Sequence, residues 1–532
     1  MSFFMELFHF KFIVLLHMLL FMELFLIICD ATGQCLEVEN STLLQLKKGF
    51  VSRNLKSWQS GTNCCIWEGV TCDEYGRIIG LNLELKLITG TINPSLFNLT
   101  SLKTLNLSFN NFDGSPIPDF GWDRLVNLTS LDLFRTGFNG KVPTSISRLT
   151  KLTFLTLSSS SRHSLAINPM ILQNMSSLKE LILENLNVSS YRDEWCGVLV
   201  NSTPVLEILS MHKCSLFGAI CSSLPMLPLP FLSIINFGHN NLDSNIPDSF
   251  ANFSSLSYLN LQQNNFKGFF PNQIFQLRNL KFLDISYNPM LSGNLPDFPK
   301  YNILNSLVTS NTNLSGNLPD AIGNLKFLTF LDLSSCQFYG TMPSSIGNLS
   351  ELEYLDLSYN KFNGVGGFEL PSYTISQSHL FWLSLANTNL IGEITPFICN
   401  LTGLMMLNLS KNKLTGTIPP CLLEGGINLR VLNLKGNQLH GAIHHGISQE
   451  CKLEIINLRD NQLKGLLLRS LSNCQSLRYL DLGNNNLKDT FPYWLGNMLS
   501  LRILDLRSNK FYGLIEPSIG SYETSYAFST IQ

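Results

Sequence analysis

The sequence predicts a repeat solenoid, with a parallel β-sheet along one face and a disulfide-stapled cap at the N-terminal end. Three observations carry that prediction. The stretch from Leu256 reads LSYLNLQQNNFKGFFPNQIFQLRN, and the stretch after it reads LKFLDISYNPMLSGNLPDFPK. Leu256, Leu259, Leu261 and Asn264 thus return as Leu280, Leu283, Ile285 and Asn288. The same frame starts eighteen times between Ile78 and Leu501, and twelve of the seventeen steps are 24 or 25 residues. Cys35, Cys64, Cys65 and Cys72 crowd together in front of the first copy.

An L-x-x-L-x-L-x-x-N frame at this period marks a leucine-rich repeat. In such an array each unit packs on its neighbours, so 532 residues count coils rather than globular domains. Net charge is −2, which leaves no basic excess to neutralise nucleic-acid phosphates. Thirteen cysteines, several close in sequence, suit an oxidising compartment.

Residues 1–33 read as a secretory signal. Phe12 to Cys29 is almost wholly apolar, and Ala31 and Gly33 supply small residues for cleavage. An uncleaved anchor is the alternative, since His17 and Glu23 interrupt the run. Residues 34–77 read as the cap. Leu43, Leu44, Leu46 and Phe50 follow helical spacing, with Asn40 or Ser41 as the expected N-cap. Four cysteines can staple a core too thin to hold alone, with three pairings open. A zinc site is the weaker reading, because adjacent Cys64 and Cys65 suit chelation poorly. No metal or other cofactor is expected.

Residues 78–524 read as the eighteen repeats. In each, the L-x-L pair alternates like a strand, leucines inward and intervening residues outward. The Asn eight residues after the first Leu is placed to satisfy backbone groups at the bend. Cys214, Cys336, Thr312 and Thr388 stand at that same position. A Gly-x-x-Pro element follows, as at Gly316 to Pro319 and Gly340 to Pro343. Residues 525–532 form an uncapped tail, which predicts a truncated array or an end covered by something else.

The outward strand positions predict one concave face. Tyr258, Phe282, Phe330, Tyr354, Phe381 and Trp382 fall on it, and rigid exposed aromatics are frequent anchors for a peptide or protein partner. Packing between coils is the competing role. Further along, Arg430, Lys435, Arg459, Arg478, Arg502 and Arg507 form a basic stripe, of which Arg459, Arg478 and Arg502 are the candidate contacts to an acidic group. Asp332 and Asp356, or Asp481 and Asp505, sit side by side like paired carboxylates. No nucleophile–base pair or metal cluster accompanies them, so an enzyme is not expected, and His444-His445 reads as a surface pair. Of twelve Asn-x-Ser/Thr sequons, Asn98, Asn127, Asn348 and Asn400 fall in the expected convex turns and are the best glycosylation candidates. Cys196 is expected to bridge Cys214, with Cys221 as competing partner. Cys399 with Cys421, and Cys451 with Cys474, are placed to clip neighbouring coils or remain thiols.

The cap stretch from Cys35 through Trp58 to Cys64-Cys65-Ile66-Trp67-Glu68-Gly69-Val70-Thr71-Cys72 resembles that of plant extracellular leucine-rich-repeat proteins. The repeat form LxxLxLxxNxLxGxIP is similar to their plant-specific class. Phe491-Pro492-Tyr493-Trp494-Leu495-Gly496, followed by Leu501 to Lys510, resembles the disease-resistance receptor-like proteins in particular. The resemblance implies a curved right-handed horseshoe or superhelix and disulfides Cys35–Cys64 and Cys65–Cys72. It implies recognition of a peptide or microbial protein and signalling through a partner receptor kinase at the cell surface. The membrane anchor of that family is absent from this sequence. A secreted inhibitor of cell-wall-degrading enzymes such as polygalacturonases is the alternative, since it shares the cap and repeats.

Overall fold

The computed structural model describes residues 34–52, 54–159, 164–188, 194–220, 230–362, 379–424, 428–443 and 446–513. The expected signal, the stretch beyond residue 513, Cys221 and the His444-His445 pair lie outside these described residues. The chain falls into two compact units, one ending at Leu206 and one starting at Glu207.

The first unit opens with the helix Glu37–Gly49, whose Leu43 and Leu46 are fully buried. Asn40 and Ser41 lie inside this helix, not at its N-cap. The cap position is Leu36, which offers no side-chain acceptor, while Glu37 and Glu39 in the first turn answer the positive end of the helix. Asn40 instead donates to the Thr62 carbonyl at 2.7 Å. Cys35–Cys64 and Cys65–Cys72 are bonded, each with Cα atoms 5.4 Å apart. Between them Trp58 and Trp67 stack at 5.7 Å, both buried, with their indole N–H groups on the Glu68 carbonyl and the Thr62 hydroxyl. The strand Val70–Cys72 then pairs antiparallel with Ile78–Asn82, which joins cap to first coil. The buried Glu39 carboxylate accepts from the Ile78 amide, and burial raises its pKa.

Each predicted repeat contributes one short strand to a parallel sheet. In the first unit these run from Ile78–Asn82 through Thr104–Asn106, Ser130–Leu133 and Phe154–Ser158 to Glu180–Glu184. In the second they run from Ile208–His212 to Ile503–Asp505. Within each unit the strand register is in phase: Tyr258 lies beside Phe282, Leu259 beside Leu283, Asn260 beside Asp284. The long step before Leu380 does not disturb it, since Tyr354 still pairs with Trp382.

The leucines of the frame fill the interior, with Leu256, Leu259 and Leu261 all at zero exposure. Two residues after the bend stands a second inward position. Phe112, Phe138, Phe266, Phe338 and Phe362 occupy it, each essentially unexposed, and Phe112 stacks on Phe138 at 4.6 Å. Each such ring contributes about 1.5–3 kcal/mol by burial. The Gly of the Gly-x-x-Pro element closes a short outer strand: Gly340 ends Gln337–Gly340 at φ +79°. Pro343 then precedes a short 3-10 helix, Ser344–Asn348.

The bends are held by the expected asparagines. Asn264 donates to the carbonyls of Phe237, Leu261 and Gln262 and accepts from the Leu242 amide at 3.0 Å. Asn288, Asn360, Asn412, Asn461, Asn485 and Asn509 repeat that pattern. What they hold is unfavourable backbone. The residues just before the bend position, among them His239, Gln263, Tyr287, Ser335, Tyr359 and Lys411, have φ values of +49° to +58°.

Candidate functional site

The outward face of the second unit's sheet is built from side-chain columns brought into line by the strand register. One column, two residues after each frame leucine, holds Tyr258, Phe282, Ser306, Phe330, Tyr354, Trp382, Met406, Val431, Ile455, Tyr479 and Ile503. In-phase register brings these into direct contact. Tyr258 stacks on Phe282 at 4.3 Å, Phe330 on Tyr354 at 4.1 Å, and Tyr354 on Trp382 at 5.3 Å. Packing between coils therefore claims much of the expected aromatic surface: Tyr258 and Tyr354 are each only 6% exposed. Their rings are sealed in these stacks rather than exposed as expected. Phe282 and Phe330 are half-buried in the same stacks.

The next column also departs from expectation. Asn260 and Asp284 face outward by strand alternation yet have no exposure, and Gln262 is buried beside them. Their side chains turn back onto their own strand ends. Asn260 accepts from the Gln262 amide at 3.0 Å, and Asp284 from the Ser286 amide at 2.9 Å and hydroxyl at 2.6 Å. The recurring Asn or Asp is thus a turn-forming acceptor.

The face opens from Phe381 onward. Phe381 is 38% exposed, and Trp382 is half-buried with an indole N–H that is buried and has no acceptor. Met405, Met406 and Val431 are half-buried, and Ile455 and Ile503 are exposed. Sequence reasoning passed over these aliphatic and thioether side chains because they read as filler between leucines. Tyr287 and Tyr359, both exposed at the strained bend, were also missed. Their recurrence as Tyr-Asn pairs was the available signal.

The basic stripe divides. Arg459 is committed to Asp505 at 2.8 Å, and Arg507 chelates the same carboxylate. The Arg507 side-chain bonds, with help from Arg459, hold Asp505 below the usual carboxylate range. Arg478 remains well exposed, its guanidinium 4.0 Å from Glu454 on the edge of pairing distance. Arg430 shares Glu454 at 3.3 Å. Arg502 is exposed and makes no ion pair among the described residues.

The convex sequon sites are placed as follows. Asn98, Asn348 and Asn400 end short 3-10 helices and are exposed. Asn127 is half-buried, donating to the Thr100 carbonyl and accepting from Lys151. The Cys196–Cys214 bridge is not formed: Cys196 is disulfide-bonded, while Cys214 stays a buried thiol, 3.4 Å from the His212 carbonyl. Cys214 stands at a bend position, where its sulfur takes the place of the ladder asparagine. Cys399–Cys421 and Cys451–Cys474 do form.

Family models match in accord with this architecture. A leucine rich repeat N-terminal domain covers residues 36–73, and leucine rich repeats cover 230–290 and 451–511. Receptor-like protein 6 of Arabidopsis thaliana is 31% identical over 284 residues, 52% of this chain and 24% of its own. Receptor-like protein Cf-9 of Solanum pimpinellifolium is 34% identical over 302 residues, 55% of this chain and 27% of its own. Over about half of its length this chain is similar to plant leucine-rich-repeat receptor-like proteins. It spans about a quarter of the length of these relatives. Among solved structures, the ectodomain of the Arabidopsis thaliana membrane receptor kinase GASSHO1/SCHENGEN3, in complex with CASPARIAN STRIP INTEGRITY FACTOR 2, matches with a TM-score of 0.64. It is 28% identical, with 88% of this chain and 64% of that one covered. The PEPR1–AtPEP1 complex matches at 0.59 and 27% identity, covering 90% and 72%. Among the described residues, no helix is long and apolar enough to cross a membrane.

Proposed function

We propose that this chain is the extracellular ligand-recognition part of a plant receptor-like protein, which binds a peptide or a segment of a microbial or host protein and signals through a partner receptor kinase in defence or development. The observation that carries the reading is the change in the outward face at Phe381. Before it, the strand aromatics from Tyr258 to Tyr354 are taken up in stacks with their neighbours; after it, Phe381, Ile455 and Ile503 are exposed, Trp382 keeps an unsatisfied indole donor, and Arg478 and Arg502 flank the strip. An extended ligand supplies what this strip lacks: apolar side chains for the groove, a carbonyl for the indole, and acidic groups for the arginines. The receptor-like relatives and the peptide-bearing structural neighbours support the same reading.

The test compares the secreted chain with a Phe381→Ala/Trp382→Ala/Arg478→Glu variant, both immobilised and exposed to fractionated extracellular peptides. A ligand retained by the parent is expected to fall at least tenfold in affinity on the variant, about 1.4 kcal/mol or more. Replacing the stacked Tyr258 is expected to act through stability alone. Equal retention by parent and variant defeats the assignment of the strip.

A further inference from the structure

Three aspartates on adjacent or next-adjacent strands form a group of buried carboxyls with no cation among the described residues beside them. Asp332 lies beside Asp356 in strand register, and Asp284 is two strands before Asp332, with Val308 between. Their exposures are 0%, 2% and 5% for Asp284, Asp332 and Asp356. Each gives one oxygen to its own turn: Asp284 to Ser286, Asp332 to Ser334, Asp356 to Ser358. The second oxygen of Asp284 is buried with no hydrogen-bond partner.

The same column tells a different story a few coils on. There Asp505 is held by Arg459 and Arg507, and Asp481 lies 3.9 Å from Arg459. Around the first three no cation takes that place among the described residues. The Tyr258–Asn260 strand offers Tyr258, the bend after Asp284 offers Tyr287, and the Tyr354–Asp356 strand offers Tyr354. The Ser306–Val308 strand offers Ser306 and Val308, with Ser310 just beyond it bonding Asp332 through its hydroxyl, and the Trp382–Ser384 strand offers Ser384. The charges acting most strongly on the carboxylates are each other: Asp332 on Asp284, and Asp332 on Asp356. Buried like charges without a counter-ion favour the neutral acid.

We propose that the Asp284, Asp332 and Asp356 column is a proton-operated clasp in the sheet, closed when its carboxyls are protonated and loosened when they ionise. The electrostatics agree with the geometry. Burial raises Asp284 to about 7 and Asp356 to about 6, and it raises Asp332 as well. A carboxyl raised in the folded state contributes stability that is complete below the unfolded value and lost as pH rises through the folded one. The window therefore runs from about pH 4 to about pH 7, and the sheet between Phe282 and Asp356 is tightest on the acid side. Asp505, held low, has the opposite sign. The clasp thus tunes the order of the sheet just ahead of the open strip, whichever ligand that strip takes.

Hydrogen exchange and thermal melting of the secreted chain at about pH 5 and about pH 8 test this. After correction for the chemical exchange rate, amides of residues 282–287, 330–335 and 354–359 are expected to exchange several-fold faster at the higher pH, while residues 479–484 do not. Asp284→Asn, which keeps shape and removes charge, is expected to shrink that difference, and Asp284→Asn/Asp332→Asn/Asp356→Asn to abolish it. Asp505→Asn leaves it in place. Equal exchange at both pH values in the parent chain overturns the proposal even if the triple variant fails to fold. So does an unchanged pH response in Asp284→Asn.

Discussion

Asn264 engages three carbonyls and one amide from two coils, and none of those four groups has water to fall back on. Asn264→Ala strands them together and frees a backbone held at φ +49° on Gln263. A loss of about 2–3 kcal/mol is expected in denaturant unfolding, from the desolvation of unsatisfied buried groups. Asn264→Thr is expected to cost less, because Thr312 serves the same bend with its hydroxyl on the Thr309 carbonyl at 2.8 Å. The Asp505 pair sets a second residue-scale test. Arg459→Gln removes a 2.8 Å contact to a carboxylate whose pKa is depressed, so the stability it supplies is present above the unfolded pKa and lost as pH falls through the folded one. The parent is expected to exceed Arg459→Gln by about 1–2 kcal/mol at neutral pH and to converge with it in acid. At this scale the sequence showed which positions bond the bend, since an amide recurring at fixed phase has few other uses. It did not show that Tyr258, Asn260 and Asp284 are sealed. Strand alternation says only which side a residue leaves from, whereas sealing depends on neighbours one coil away, 24 residues distant in sequence.

The elements show how small variations in the repeat are absorbed. Coils of unequal length keep their strands in phase because the frame leucines, not the loops, fix where each strand begins. Two disulfides reinforce that phase. Cys399–Cys421 and Cys451–Cys474 bond residues 22 and 23 apart, linking neighbouring coils on the side away from the sheet. Closing a loop of that size is worth about 3 kcal/mol. Cys399→Ser/Cys421→Ser is expected to lower stability by about that amount in denaturant titration, with the open strip from Phe381 still able to bind. These two pairings were legible in the sequence as cysteines at nearly equal phase. The cap pairing followed only from resemblance, because three connectivities satisfy the spacing. Cys214 shows the limit of phase as a guide: a cysteine at a bend position serves the ladder, and its sequence distance to Cys196 carried no information about that.

At the scale of the whole array, stability is a sum of coils and of the contacts between each coil and its neighbours. The bonds of Asn264 reach back one coil and no further, to Phe237 and Leu242. The stacked rings behave likewise, each pair joining adjacent or successive strands. Among the described residues no long-range element ties those near Asn264 to the strands near Ile503, so damage at one bend is expected to stay local. The fold class was readable from sequence for this same reason, since a local frame repeated in phase specifies the array. The candidate site was less readable, because it arises where the frame's outward positions stop sealing one another, at Phe381. Hydrogen exchange on Asn264→Ala checks the locality directly. Protection is expected to fall for the strands Ile234–Asn236, Tyr258–Asn260 and Phe282–Asp284 and to stay unchanged for Tyr479–Asp481 and Ile503–Asp505. A uniform loss of protection from Ile234 to Asp505 contradicts the neighbour-only account and shows the array unfolding as one cooperative block.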